Sequence, residues 1–202
     1  MPLLIIAPLL IPIALVIVYA YIVKQDGIIL IDTGIPGSEQ KILDTLRDHG
    51  CKPRDISLII ITHGHQDHAG SAASLHGLSG APVACHADDA GFLEKGKQNT
   101  LKPCSITGYF LQFIFNRKKL SEYPPVHPDI LIDSPFDLES YGISGIIIPT
   151  PGHTKGSVSV ALNSGERFTG DLIFPKIPSR KPGFPYWAEE PDQVLDSIGK
   201  YA

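Results

Sequence analysis

The segment Thr62-His63-Gly64-His65-Gln66-Asp67-His68-Ala69-Gly70 follows directly on the apolar run Leu58-Ile59-Ile60-Ile61. Four side chains able to bind a metal, His63, His65, Asp67 and His68, fall within six positions. The apolar run predicts a buried strand, and a strand of this kind delivers the cluster to its C-terminal end. There a turn can fan the side chains around an ion. Imidazole and carboxylate suit zinc or iron better than magnesium. The chemistry this points to is metal-activated water attacking an electrophile. A solvated loop would also accommodate histidines, but not for any reason that places an acid between the second and third of them.

Two further candidates lie downstream. His153 occurs in Thr150-Pro151-Gly152-His153-Thr154, after Ile146-Ile147-Ile148. Asp171 occurs in Thr169-Gly170-Asp171-Leu172, at the end of an alternating stretch. Each alone would pass for an ordinary turn residue. Together with the first cluster they supply six ligands from three strand ends.

The pattern HxHxDH, a distant Gly-His and then a Gly-Asp resembles the metallo-β-lactamase superfamily. Ile31-Asp32-Thr33-Gly34 matches another of that family's signatures. The resemblance covers nearly the whole chain. It implies an α+β fold, a four-layer αβ/βα sandwich with a dinuclear site at the sheet edges. By resemblance, His63, His65 and His153 bind a first metal, Asp67 and His68 bind a second, and Asp171 bridges the two. The implied cofactor is a pair of Zn2+ ions, with Fe or Mn as alternatives. Asp67 is the candidate catalytic residue, orienting the nucleophile or taking up its proton. Asp32 is expected to fix a ligand imidazole or to cap Thr33 and Gly34. The family pattern ends with one more His on a final strand, and no His follows His153. The expectation is a single domain over 1–202 that is truncated at its C-terminus, or else a second site built without that ligand.

A chain of 202 residues supports one domain or two fused halves. The net charge of −4 and the lack of a basic run argue against nucleic acid as a partner. The expected partner is a small-molecule substrate, with a homodimer also open. Cys51, Cys85 and Cys104 form no Cys-x-x-Cys pair. They predict reduced thiols and a cytoplasmic setting. Residues 1–23 carry no charge and are long enough to span a bilayer. Against that, Pro8 and Pro12 interrupt any helix. In addition, Val16–Val23, Lys24-Gln25-Asp26-Gly27 and Ile28–Asp32 predict a strand, a turn and a second strand. Membrane association through 1–23 is the alternative to a cytoplasmic protein.

Further elements follow along the chain. A helix is predicted from Ser38, as its N-cap, to near Gly50, with Leu43 and Leu46 on its apolar stripe. Ala69–Leu75 and Ala87–Lys95 predict short helices, and Pro82–Cys85 a strand. Ser157–Leu162 and Arg167–Gly170 predict a hairpin, and Glu190–Lys200 the last helix. Tyr109–Phe115 predicts a helix packed on the sheet, or a substrate lid or dimer contact. The loop Phe174–Trp187 carries Lys176, Arg180 and Lys181, which could hold a carboxylate or be solvated. Thr, Gly and His recur at equal offsets in Thr62-His63-Gly64-His65 and Thr150-Pro151-Gly152-His153, which fits two related halves meeting at one site. His49, His76, His86 and His127 lack ligand spacing.

Within the family, β-lactamases usually carry Cys at the Asp171 position, and redox di-iron members carry Glu at the His65 position. His68-Ala69-Gly70 resembles glyoxalase II-like hydrolases and lactonases. The expected activity is therefore hydrolysis of an ester-like bond, thioester or lactone. A mononuclear iron oxygenase acting on a persulfide and a non-catalytic metal-binding remnant are the alternatives.

Overall fold

The computed structural model describes residues 7–98, 102–104, 107–110, 122–175 and 181–201. Strands β1 (Leu9–Ala14), β2 (Tyr19–Lys24), β3 (Ile28–Ile31), β4 (Leu58–Ile60), β5 (Val83–His86) and β6 (Ile130–Ile132) form one sheet in that order. The first three strands are antiparallel to one another, and β3 to β6 run parallel. Strands β7 (Phe136–Asp137), β8 (Gly145–Pro149), β9 (Val158–Leu162) and β10 (Arg167–Phe168) form a second, antiparallel sheet.

The alternation of side chains along the central strands builds the layers. Ile28, Leu30, Ile59 and Ile61 enter one core. It is closed from outside by helices α1 (Glu39–Asp48), α3 (Ala72–Ser79) and α4 (Ala87–Lys95), through Ile42, Leu46, Leu75 and Leu93. A one-turn helix, α2 (Gln66–Ala69), precedes α3. The intervening residues Ile29, Ile31, Leu58 and Ile60 enter a second core, against Ile147, Val158, Val160 and Phe168 of the other sheet. Because β3 and β4 are covered on both faces, they are apolar at every position, as parallel strands between two layers must be. Helix α5 (Pro191–Tyr201) lies beyond the second sheet's strand ends, where Val194 packs with Leu172 and Ala188, and Ser197 Oγ donates to Pro151 O at 2.8 Å. Helices on the outer face of the first sheet and two sheets packed face to face, with α5 at the end of the second, fit the αβ/βα sandwich expected from the sequence.

Several local expectations are revised. The apolar N-terminal stretch forms two strands, because β1 pairs with β2 and Pro12 sits opposite Tyr21. Pro12 is tolerated because β1 is an edge strand. Among the described residues no helix is long and apolar enough to cross a membrane. Ser38 occupies the N-cap position of α1 but makes no side-chain cap; its backbone N–H donates instead to Ser71 Oγ at 3.0 Å. The helix expected over Ala69–Leu75 is broken at Gly70 and Ser71 and starts earlier, which places Asp67 and His68 inside α2. Most of Tyr109–Phe115, with Asn116–Lys119, lies outside the described residues, as do Lys176 and Arg180.

Candidate metal centre

β3 and β4 run side by side and in parallel, so their C-terminal ends carry Asp32 and the Thr62–His68 segment to one edge of the sandwich. Asp32 lies at φ 60°, in a left-handed region that costs a non-glycine residue roughly 1–2 kcal/mol. In this conformation the buried carboxylate accepts from Thr62 N–H at 2.8 Å, from the Thr62 hydroxyl at 2.8 Å and from His68 Nδ1–H at 2.8 Å. Asp32 is thus the acceptor for a candidate ligand imidazole, rather than a cap for Thr33 and Gly34. The His68 carbonyl is pinned as well, accepting from Thr33 N–H and Thr33 Oγ1, both at 2.7 Å.

These bonds select tautomers. The Thr62 hydroxyl spends its proton on Asp32, so its lone pair is left to accept from His63 Nδ1–H at 3.2 Å. A neutral His63 then carries its lone pair on Nε2. His153 Nδ1–H donates to the carbonyl of Trp187 at 2.9 Å, which leaves Nε2 as the acceptor nitrogen of the neutral ring. His153 Nε2 faces His65 Nδ1 at 3.0 Å. Two ring nitrogens at that separation need a proton or a cation between them.

Five of the six candidate ligands come together in two groups. His63, His65 and His153 form one, and His63, His68 and Asp171 form the other. In each, the ligand atoms lie within 4.8 Å of one another. Asp171 sits between the groups, with Oδ1 3.2 Å from His68 Nε2 and Oδ2 3.5 Å from His153 Nε2 and 4.0 Å from His63 Nε2. Asp67 lies outside both, with Oδ2 4.0 Å from His68 Nε2 and its side chain partly open to solvent. His86 caps α4, accepting from Asp88 N–H at 3.1 Å. His49, His76 and His127 bond to Thr45 O, Ala81 O and Glu94 respectively.

The electrostatics suit a cation. Burial, and then the neighbouring imidazoles, hold His63 and His65 well below the ordinary histidine range. Burial also opposes charge on His68, but Asp171, Asp32 and Asp67 outweigh it and raise its pKa well above 6.5. Asp171 is largely desolvated, which alone would raise its pKa, yet His68, followed by His153 and His65, brings it down to about 2. Burial raises the pKa of Asp67. His63 Nε2 is buried without a hydrogen-bond partner among the described residues, and His68 Nε2 has the Asp171 carboxylate 3.2 Å away outside hydrogen-bond geometry; His65 Nε2 is also unpartnered there, but it is Nδ1 of that ring that faces His153. Orphaned buried nitrogens cost roughly 1–3 kcal/mol each, and a metal ion is the partner that lone pairs and carboxylates of this kind fit.

One buried acid that contacts the site's loops was not anticipated from the sequence. Asp89 is fully buried and bonds to both ligand-bearing loops, accepting from Gly64 N–H at 2.7 Å, Thr154 Oγ1 at 2.8 Å and Gly156 N–H at 3.1 Å. The signal was an acid one turn before Leu93, on the same buried face of the helix.

This fold has known counterparts. The model of the metallo-beta-lactamase superfamily matches residues 13–197, and the chain belongs to that superfamily. A protein of Methanocaldococcus jannaschii, described as a "probable metallo-hydrolase", is 32% identical over 155 residues, which are 77% of this chain and 66% of that protein. A Listeria monocytogenes protein named a metal-dependent hydrolase is 36% identical over 103 residues, 50% of this chain and 42% of its own. The chain thus spans less than two thirds of the length of these relatives. Among solved structures, a Cronobacter sakazakii metallo-beta-lactamase superposes with a TM-score of 0.61 at 26% identity, covering 78% of this chain and 57% of its own. A subclass B3 enzyme of Bradyrhizobium japonicum gives 0.65 at 23% identity, over 95% and 69%, a likeness of fold alone.

Proposed function

We propose that this protein is a metal-dependent hydrolase acting on an ester-like bond of a small molecule, a thioester or lactone in the first instance. The observation that carries the reading is the pair of His/Asp groups sharing His63 at the strand ends, where His63 Nε2 is buried with no hydrogen-bond partner among the described residues. In this reading His63, His65 and His153 hold one metal. His68 and Asp171, with Asp67 beside them, hold a second, and zinc is the metal at both. A divalent ion there supplies Lewis acidity and lowers the pKa of its water towards neutrality.

The chain's own residues do the rest. Asp32 holds the His68 ring and, through Thr62, the His63 ring, so that neither has to reorganise as the charge at the site changes. Trp187 O does the same for His153. Asp67 is the solvent-accessible acid of the site, placed to orient a nucleophile or to take up its proton. The names of the two hydrolase relatives support the reaction class. A β-lactam amide is a second reading, favoured by the 26% identity to a solved metallo-beta-lactamase.

The test is a panel of thioesters, lactones, phosphodiesters and a chromogenic β-lactam, run on zinc-loaded protein and on Asp67→Asn. Turnover of a thioester or lactone that falls at least tenfold in the variant is the expected result. Oxygen uptake on a persulfide with iron, or metal binding with no turnover on any substrate, would replace the hydrolase reading.

A further inference from the structure

We propose that Asp89 is a positioning residue that sets the geometry of the His63–His65–His153 group by tying together the two loops that carry it; this rests on the reading that the group holds a metal. His63 and His65 come from the loop after β4, and His153 from the loop after β8, more than eighty residues away. Nothing in either loop alone fixes the distance between their imidazoles. Asp89 spans the gap from α4. Its Oδ2 accepts the Gly64 N–H, from the peptide between the two histidines of the first loop, at 2.7 Å. The same oxygen accepts the hydroxyl of Thr154, the neighbour of His153, at 2.8 Å, and Oδ1 accepts Gly156 N–H at 3.1 Å. The other side of the first loop is held by Tyr123 Oη, which donates to Gly64 O at 2.8 Å.

Three features show that the chain is built around this clamp. A Cβ at Gly156 would come within 2.5 Å of Asp89 Oδ1, and one at Gly64 within 2.8 Å of Phe92 Cβ, so both loops use glycine where α4 approaches them. Asp89 is fully buried and forms no ion pair among the described residues. A buried carboxylate is costly unless its charge is compensated; three donors and a cation held by the adjacent histidines would compensate it. Only a carboxylate offers acceptors to all three donors without presenting a donor of its own.

The fold does not depend on this clamp alone, since Val158 N–H also bonds to Thr62 O across the two sheets at 2.8 Å. The test is Co(II) titration of the full chain for wild type, Asp89→Asn and Thr154→Val. Affinity is read by chelator competition, the site by its visible absorption bands, and the loops by hydrogen exchange at the Gly64 and Gly156 amides. Asp89→Asn keeps the volume but turns a donor towards the loops. It is expected to weaken Co(II) binding roughly tenfold or more, to shift the absorption bands and to lose protection at both amides. Thr154→Val, which removes one of the three bonds, is expected to move in the same direction by less. A lower melting temperature with unchanged affinity and spectrum would mean that Asp89 is only structural, and would overturn the inference alone. Wild-type protein that binds no Co(II) would overturn the metal reading and this inference with it.

Discussion

Asp32 combines a costly backbone conformation with three hydrogen bonds, and its position under Thr62 and His68 accounts for both. A side chain at the end of a straight strand would point away from the loop, whereas φ 60° turns it under the imidazoles. Asp32→Asn separates the charge from the shape, because Asn tolerates this backbone region but has one acceptor oxygen for three donors. Metal affinity is predicted to fall about 10–100-fold, measured by chelator competition, with the fold intact by circular dichroism. Unchanged affinity would mean that the His68 tautomer is set by something other than this carboxylate. Five of the six candidate ligands were legible as residues brought to one place, because HxHxDH and the two Gly-punctuated strand ends are local signals. That Asp32 would hold a ligand imidazole was legible in Ile31-Asp32-Thr33-Gly34, although not which one; the Trp187 carbonyl was not, since a hydrogen bond between distant segments leaves no spacing to read.

At the level of elements, the central strands were legible because burial on both faces forces continuous apolar runs, as in Ile28–Ile31 and Leu58–Ile61. The edge strand β1 was not, because Pro12 and the unbroken hydrophobicity of the N-terminus mask a two-residue period. The break between α2 and α3 was missed for a tertiary reason: Ser71 leaves the helical region at φ −104°, ψ 8° while its Oγ accepts from Ser38 N–H at 3.0 Å and donates to Ile35 O at 2.8 Å. β5 supplies a prediction that does not involve metal. Burial, with smaller contributions from Asp89 and Glu94, pushes the Cys85 thiol from 9.0 to about 12. Its unfolded counterpart loses its proton first, so the stabilisation is complete below pH 9 and is lost as pH rises towards 12. The loss is on the order of 2 kcal/mol by about pH 10.5. Urea midpoints from pH 8 upward should fall less steeply in Cys85→Ala than in wild type. Parallel pH profiles would show that burial does not shift the thiol and that it ionises equally in the folded and the unfolded chain.

On the scale of the whole molecule, two sheets share one core, and the loops after β4 and β8 meet at one edge of it. The recurrence of Thr, Gly and His in those loops anticipated this meeting. Asp89, on the helix outside the first sheet, holds the two loops in register from behind. His63 belongs to both ligand groups, so the account stands or falls on that residue more than on any other. The most direct measurement is elemental analysis of the full chain, wild type and His63→Ala, purified without added metal and again after incubation with zinc. The account predicts at least one tightly held transition metal per folded wild-type chain and none retained by the folded variant. Folded wild-type protein that takes up no metal, or a variant with normal metal content, would contradict it.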